Sequence, residues 1–126
     1  MAFTAYTDNK LIDHLLGSGT FTKPSALYLA LFSGDPSAGG TEVSTTGSAY
    51  ARKALASTIS GGVATNTIDL EWSPATTSWG TVSWVAVLDA STAGNKLVTA
   101  QLEAPKTIGL NDIFRIPASN LTITLT

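Results

Sequence analysis

The sequence predicts an all-β fold: a jelly-roll-like antiparallel β-sandwich of about seven or eight strands, preceded by one short helix. Three observations carry this. Short apolar stretches recur along the chain between Gly, Pro, Asn and Asp turn signals. No helical pattern lies between any two of them, which excludes βαβ units. Two stretches, 27–32 and 84–88, are apolar on both faces, as central strands are. At 126 residues the expectation is a single domain, 1–126, able to bury roughly two-thirds of its unfolded surface.

Residues 1–6 carry Phe3 and Tyr6 with almost no polar break, so they read as an N-terminal arm that something receives. Thr7 is a good N-cap and Asp8 puts negative charge on a first turn. Leu11, Ile12, Leu15 and Leu16 then recur at helical spacing until Gly17. The helical segment is thus 7–17, with its body over 8–16 and Tyr6 and Leu11 forming a hydrophobic staple across the cap. A helix this short needs tertiary packing, so its apolar stripe is expected to lie on the sheet.

The sandwich is expected over 26–126. In 27–32, Leu27, Leu29 and Leu31 take one face and Tyr28, Ala30 and Phe32 the other, and Ser33-Gly34-Asp35-Pro36 forces the chain out. Residues 36–48 are Gly-, Ser- and Thr-rich without a period, a long loop suited to contact. Alternation then predicts a strand over 49–58, a hairpin turn at Gly61-Gly62 and a strand over 63–72. Further strands are expected over 81–89, over 96–102 with a break at Ala104-Pro105-Lys106, and around 113–116. The chain closes on the strict alternation of 120–126, with Leu121, Ile123 and Leu125 inward.

Composition bounds the function. Cys is absent, and with it any disulfide or thiolate metal site. Charged residues are 13% of the chain, about half the usual share, which suits a subunit surrounded by protein. A net charge of -2 with 7 scattered Lys and Arg gives no phosphate-binding footprint, so nucleic acid is not an expected partner. No apolar run approaches the ~20 residues of a membrane span, and no signal-peptide pattern opens the chain. A membrane is not expected either.

Catalytic candidates are sparse. His14, the single histidine, falls in the last helical turn, where a solvent-facing role outweighs that of a base because no nucleophile is placed beside it. No Gly-x-Ser-x-Gly elbow occurs. Asp69 and Glu71 share one strand face, the one pairing that could serve glycoside hydrolysis or a hard cation, yet adjacent exposed carboxylates are common on strands and the solvated face is the preferred reading. Trp72 and Trp84 suit core positions, and Trp79 beside Gly80 is the one expected to be exposed, a candidate sugar-stacking residue. The expectation is no catalytic residue, no cofactor and no metal.

Several segments together resemble one family. These are Leu27-Tyr28-Leu29-Ala30-Leu31-Phe32-Ser33-Gly34-Asp35-Pro36, Thr41-Glu42-Val43, Tyr50-Ala51-Arg52, Trp79-Gly80-Thr81-Val82 and Asn111-Asp112-Ile113-Phe114. In their order they are similar to small tailed-bacteriophage virion proteins often labelled tail fibre proteins. The resemblance implies a non-enzymatic structural protein, made in the bacterial host cytoplasm and located in the virion. Its partners would be the major capsid protein or other virion subunits, together with copies of itself, a trimer being the class expectation. With no heptad and no internal repeat for a stalk, the reading preferred from sequence is a capsid decoration or cement protein. A tail fibre or baseplate protein that binds a receptor or carbohydrate is the alternative. Partner contacts are expected at Phe3, Tyr6, Thr41, Glu42, Val43 and Trp79.

Overall fold

In the computed structural model, which describes residues 2–124, the strands in chain order are β1 (Ala2–Phe3), β2 (Tyr28–Phe32), β3 (Lys53–Ala54), β4 (Ser57–Ser60), β5 (Val63–Asn66), β6 (Leu70–Glu71), β7 (Gly80–Leu88), β8 (Lys96–Ile108), β9 (Arg115–Ile116) and β10 (Thr122–Thr124). The helix α1 (Ala5–Leu16) follows β1. All pairings are antiparallel, and the class is the predicted one: an all-β sandwich with a short N-terminal helix.

The main sheet has the order β1-β8-β7-β2-β3. Alternation along its central strands sends Leu29, Leu31, Val85 and Val87 to one face, where they meet Leu70, Trp72, Ala75, Phe114 and Leu121 from the chain that covers it. The opposite phase sends Ala30, Phe32, Ala86 and Leu88 into a second buried cluster, with Trp84 packed against it. Both stretches read as apolar on two faces are therefore central strands, paired from Tyr28↔Leu88 to Phe32↔Trp84. The order β10-β5-β4 forms a second sheet, and β6-β9 a third.

Two long predicted strands each split between sheets. Residues 53–54 pair with β2 in the main sheet and 57–60 with β5 in the second, so the chain changes sheet at Leu55, whose N–H still bonds the Leu27 carbonyl at 2.8 Å. Residues 63–66 and 70–71 likewise belong to different sheets. The buried Asn66 fixes the second switch. Its Nδ2 donates to the carbonyls of Ile68 and Pro117, each at 3.0 Å, and its Oδ1 accepts the Leu121 N–H at 2.9 Å. A buried amide that is fully paired can hold an irregular turn where a strand pattern alone would run on.

The predicted break at Pro105 is a bulge inside one strand. Val82 pairs with Lys106 and Trp84 with Gln101, so residues 102–105 of β8 stand against the single Ser83. Pro105 donates nothing to a ladder and is tolerated where the ladder is already open. The bulge also resets the phase of β7: Val82 and Val85, three apart, both reach the main core. At the C-terminus, Leu121 is buried and Ile123 packs on the core; the expectation that Leu125 and the last residue continue the strand lies outside the described residues.

The N-terminus departs furthest from expectation. The helix starts at Ala5, capped by Thr4, whose Oγ1 accepts the Thr7 N–H at 3.3 Å and donates to the Lys96 carbonyl at 2.7 Å. Thr7, expected as the cap, sits in the first turn, is buried, and donates its hydroxyl to the Leu97 carbonyl at 2.8 Å. The staple of Tyr6 and Leu11 therefore does not form as predicted. The arm expected over 1–6 is, in its described part, β1 pairing Phe3↔Val98 and the opening of α1. The apolar stripe does not lie on the sheet: Ile12, Leu15 and Leu16 are exposed.

Candidate interaction surfaces

Four of the five segments that carry the family resemblance meet in one cluster. Phe32↔Glu42 is an isolated bridge that returns the 33–41 loop to β2, and Ser33 N–H bonds the Thr41 carbonyl at 2.9 Å. From there Glu42 accepts a fork from Arg52, Nε to Oε2 at 2.9 Å and Nη2 to Oε1 at 2.8 Å. The same guanidinium donates through Nη1 to the carbonyls of Ala90 at 2.9 Å and Ala93 at 2.7 Å, so one side chain joins three loops. The Tyr50 hydroxyl donates to Glu42 Oε2 at 2.7 Å and accepts the Leu31 N–H at 3.0 Å, which ties the group to β2. Trp79 closes it, its indole N–H on the Ser48 carbonyl at 2.7 Å and its ring edge-on to Tyr50 with centroids 5.5 Å apart.

Electrostatics follow from that geometry. Burial alone would raise the Glu42 carboxyl, but hydrogen bonds from Arg52 and Tyr50 outweigh it and hold the group below its ordinary range. Burial, reinforced by the adjacent carboxylate, pushes the Tyr50 phenol far above its ordinary range, so it stays a donor at any physiological pH. The hydrogen bond to Glu42 raises Arg52 further. Every polar group here is engaged within the chain, and the cluster acts as a clasp that shapes the loops.

The residues expected to meet partners are thereby distributed unevenly. Val43 is buried, with its N–H on the Leu31 carbonyl at 3.0 Å, and Glu42 is committed to the clasp; Thr41 is exposed. Trp79, expected in the open, is only 7% exposed and cannot present a face to a sugar. Its proximity to Gly80 suggested a loop, whereas Gly80 begins β7 with a φ of 75° and turns the indole inward. Phe3 is half-buried on the main core, and Tyr6 packs there too while lining a shallow depression of about 360 Å³ with Pro36, Asn95 and Lys96.

Asp69 and Glu71 do share a face, and Arg115 from β9 occupies it. Its Nη2 lies 2.6 Å from Asp69 and its Nε 3.7 Å from Glu71. The hydrogen bond from Arg115 holds the exposed Asp69 carboxyl below its ordinary range. One guanidinium thus hydrogen-bonds Asp69 and lies within ion-pair distance of Glu71, a surface ion triad. His14 Nδ1 accepts the Phe21 N–H at 3.2 Å and so fastens the loop after α1.

A groove of about 770 Å³ was not anticipated. It runs between the bulged half of β8 and the 112–117 segment, lined by Leu102, Glu103, Lys106, Ile113, Phe114 and Asn120 among others. Ile113 is 51% exposed at its rim, and among the described residues Glu103 and Lys106 have no ion-pair partner. Its sequence signal was the Pro105 interruption, since the bulge is what opens the strand. Among the described residues no helix is long and apolar enough to cross a membrane.

No curated protein matches the chain. The family model described as podophage GP4 fiber I protein gp80 matches residues 2–124, which takes in every segment of the clasp, both central strands and the groove. With the match running the length of the chain, the protein belongs to the podophage GP4 fiber I protein gp80 family of phage fibre proteins.

Proposed function

We propose that this chain is a non-enzymatic subunit of a tail fibre, held in the virion by contacts with neighbouring fibre or tail proteins. The observation that carries the reading is the fibre family's match over residues 2–124. It favours the tail station over the capsid-decoration role preferred from sequence. A chain without heptads or repeats suits a fibre as one of its globular units. The clasp supports this reading because it makes a self-contained β domain whose loops are already set before assembly.

Within that role the receptor-facing surface is the groove between β8 and 112–117. It is open, its rim is apolar at Ile113, and Glu103 and Lys106 are free to hydrogen-bond a ligand. Trp79 has no part in it. Immunogold labelling of intact particles, paired with quantitative mass spectrometry against the major capsid protein, tests the station. Label on the tail fibres and a copy number far below that of the capsid protein are expected; label spread over the head at near-capsid copy number overturns the fibre role. Phage carrying Ile113→Glu should assemble normally and adsorb to host cells at least tenfold more slowly. Unchanged adsorption removes the groove from the reading.

A further inference from the structure

The second sheet ends in an open edge at β4. The two-residue turn Gly61-Gly62, with φ of 59° and 79°, closes Ser60↔Val63 as a hydrogen-bonded pair. Such pairs alternate along an antiparallel ladder, so Thr58↔Thr65 is the next, and the Thr67 N–H on the Ala56 carbonyl at 3.0 Å continues the phase. The N–H and C=O of Ser57 and Ile59 therefore point away from β5, where no strand lies beside them among the described residues. Nothing local deters a strand from joining them. Between Lys53 and Asp69 the chain carries no charge and no proline, all of β4 is exposed, and its pairing to β5 runs without a bulge. The inner face of this sheet is unfinished at the same place. Ile59, Ala64 and Ile123 stand in one row across β4, β5 and β10. Ile123 packs on the main core, whereas Ile59, on the same face, is 71% exposed. The row thus runs out from the core and leaves an isoleucine bare on the strand whose backbone is open.

We propose, on the reading of the chain as a virion subunit held by its neighbours, that β4 takes up an extended segment of a different virion protein as a further strand of the β10-β5-β4 sheet. Outward N–H and C=O groups at alternate residues match the repeat of an extended chain, whose main chain supplies the bonds while alternate side chains supply the selectivity. The segment is uncharged, because a charge laid against this run would lose water and meet no counter-charge. It sets an apolar residue beside Ile59, covering the bare end of the row. A second copy of β4 is the poorer complement. In an antiparallel ladder outward residues pair only with outward residues, so Ile59 meets either Ser57 or Ile59 of the copy. The first leaves it against a hydroxyl, and the second slides the strands until only 58–60 overlap.

Hydrogen exchange on the full chain, free and in purified particles, tests this. In the free chain the amides of Ser57 and Ile59 should exchange fast while β5 protects those of Thr58 and Ser60; in particles the first two should slow at least tenfold. Benzoylphenylalanine introduced at position 59 should cross-link, in particles, to a virion protein other than this one, within a stretch free of charge. Ile59→Pro removes an outward N–H and leaves the bonds to β5 in place. It should keep the wild-type urea midpoint yet load onto particles at least tenfold less. Ile59→Lys repeats the test without altering the backbone, and Ile68→Lys, at an exposed apolar residue outside the strands, should load normally. Unslowed amides in particles, a cross-link to a second copy, normal loading of both Ile59 variants or an equal loss of Ile68→Lys overturns the proposal. Each of these leaves the virion reading standing, because the wild-type chain is still on the particle; a wild type missing from particles overturns that reading and the proposal with it.

Discussion

Replacing Arg52 with alanine strips the clasp of its donor and is the sharpest test of what holds the loops. Four hydrogen bonds go at once, two charge-assisted to Glu42 and two to the carbonyls of Ala90 and Ala93. The Arg52 side chain is 9% exposed and Glu42 24%, so the carboxylate left behind is mostly enclosed and keeps only the Tyr50 hydroxyl. Breaking a fully buried pair costs about 3–5 kcal/mol; water reaching the open quarter of Glu42 reduces this to about 2–3 kcal/mol. For a domain of this size that is a fall in Tm of roughly 6–15 °C. Urea unfolding followed by tryptophan fluorescence measures it, since Trp79 stacks edge-on to Tyr50 within the cluster. A double-mutant cycle with Glu42→Gln should return a coupling of at least about 1 kcal/mol. An Arg52→Ala chain within about 0.5 kcal/mol of wild type would show the fork to be surface decoration of the kind exposed ion pairs usually are.

The same carboxylate gives a pH dependence. Because the folded state holds Glu42 below its ordinary 4.5, its contribution is fully present above that value and is lost as pH falls through the depressed one. Glu42→Gln should flatten that acid limb of the stability profile. Trp79→Phe and Trp72→Phe remove the same indole volume from the core, but only the first breaks a bond, to Ser48, while the second deletes a buried N–H that has no acceptor among the described residues; by urea unfolding, Trp79→Phe should cost about 1–2 kcal/mol more. Gly40→Ala would drive its new Cβ into the backbone carbonyl of Gly34, where the 33–41 loop closes, and should destabilise by about 1–3 kcal/mol; hydrogen exchange localised to that loop checks it.

How far the sequence reveals the fold depends on whether a pattern is local. Apolar residues on both faces of 27–32 and 84–88 mark central strands because nothing but a covered sheet tolerates them, and both are central. Periodicity in 11–16 reveals a helix but not the direction its stripe faces; that is decided by Thr4 and Thr7, which reach Lys96 and Leu97 some ninety residues away. The structural roles of Arg52 and Asn66 stay hidden in the sequence for the same reason. An Arg in a strand pattern looks solvated until Glu42, Ala90 and Ala93 are brought to it, and an Asn ending a strand looks like a turn former until Pro117 and Leu121 close around it. Trp79 was misjudged through its neighbour: Gly80 signals a change of direction, and the direction taken is inward.

The bulge at residues 102–105 also bears on how the protein remains dispersed before it is assembled. β1 and the Thr4–Thr7 cap occupy the outer edge of β8 over residues 96–99, so the remainder of a thirteen-residue strand has no strand neighbour on that side among the described residues. A polypeptide with few charges is vulnerable to uncontrolled strand addition at such an edge. Glu103, Pro105 and Lys106 lie together on that stretch, all exposed: two charges that resist dehydration, and between them a residue with no N–H to offer an incoming strand. The proline that breaks the sequence pattern thus keeps the longest strand of the domain from seeding aggregates during an infection.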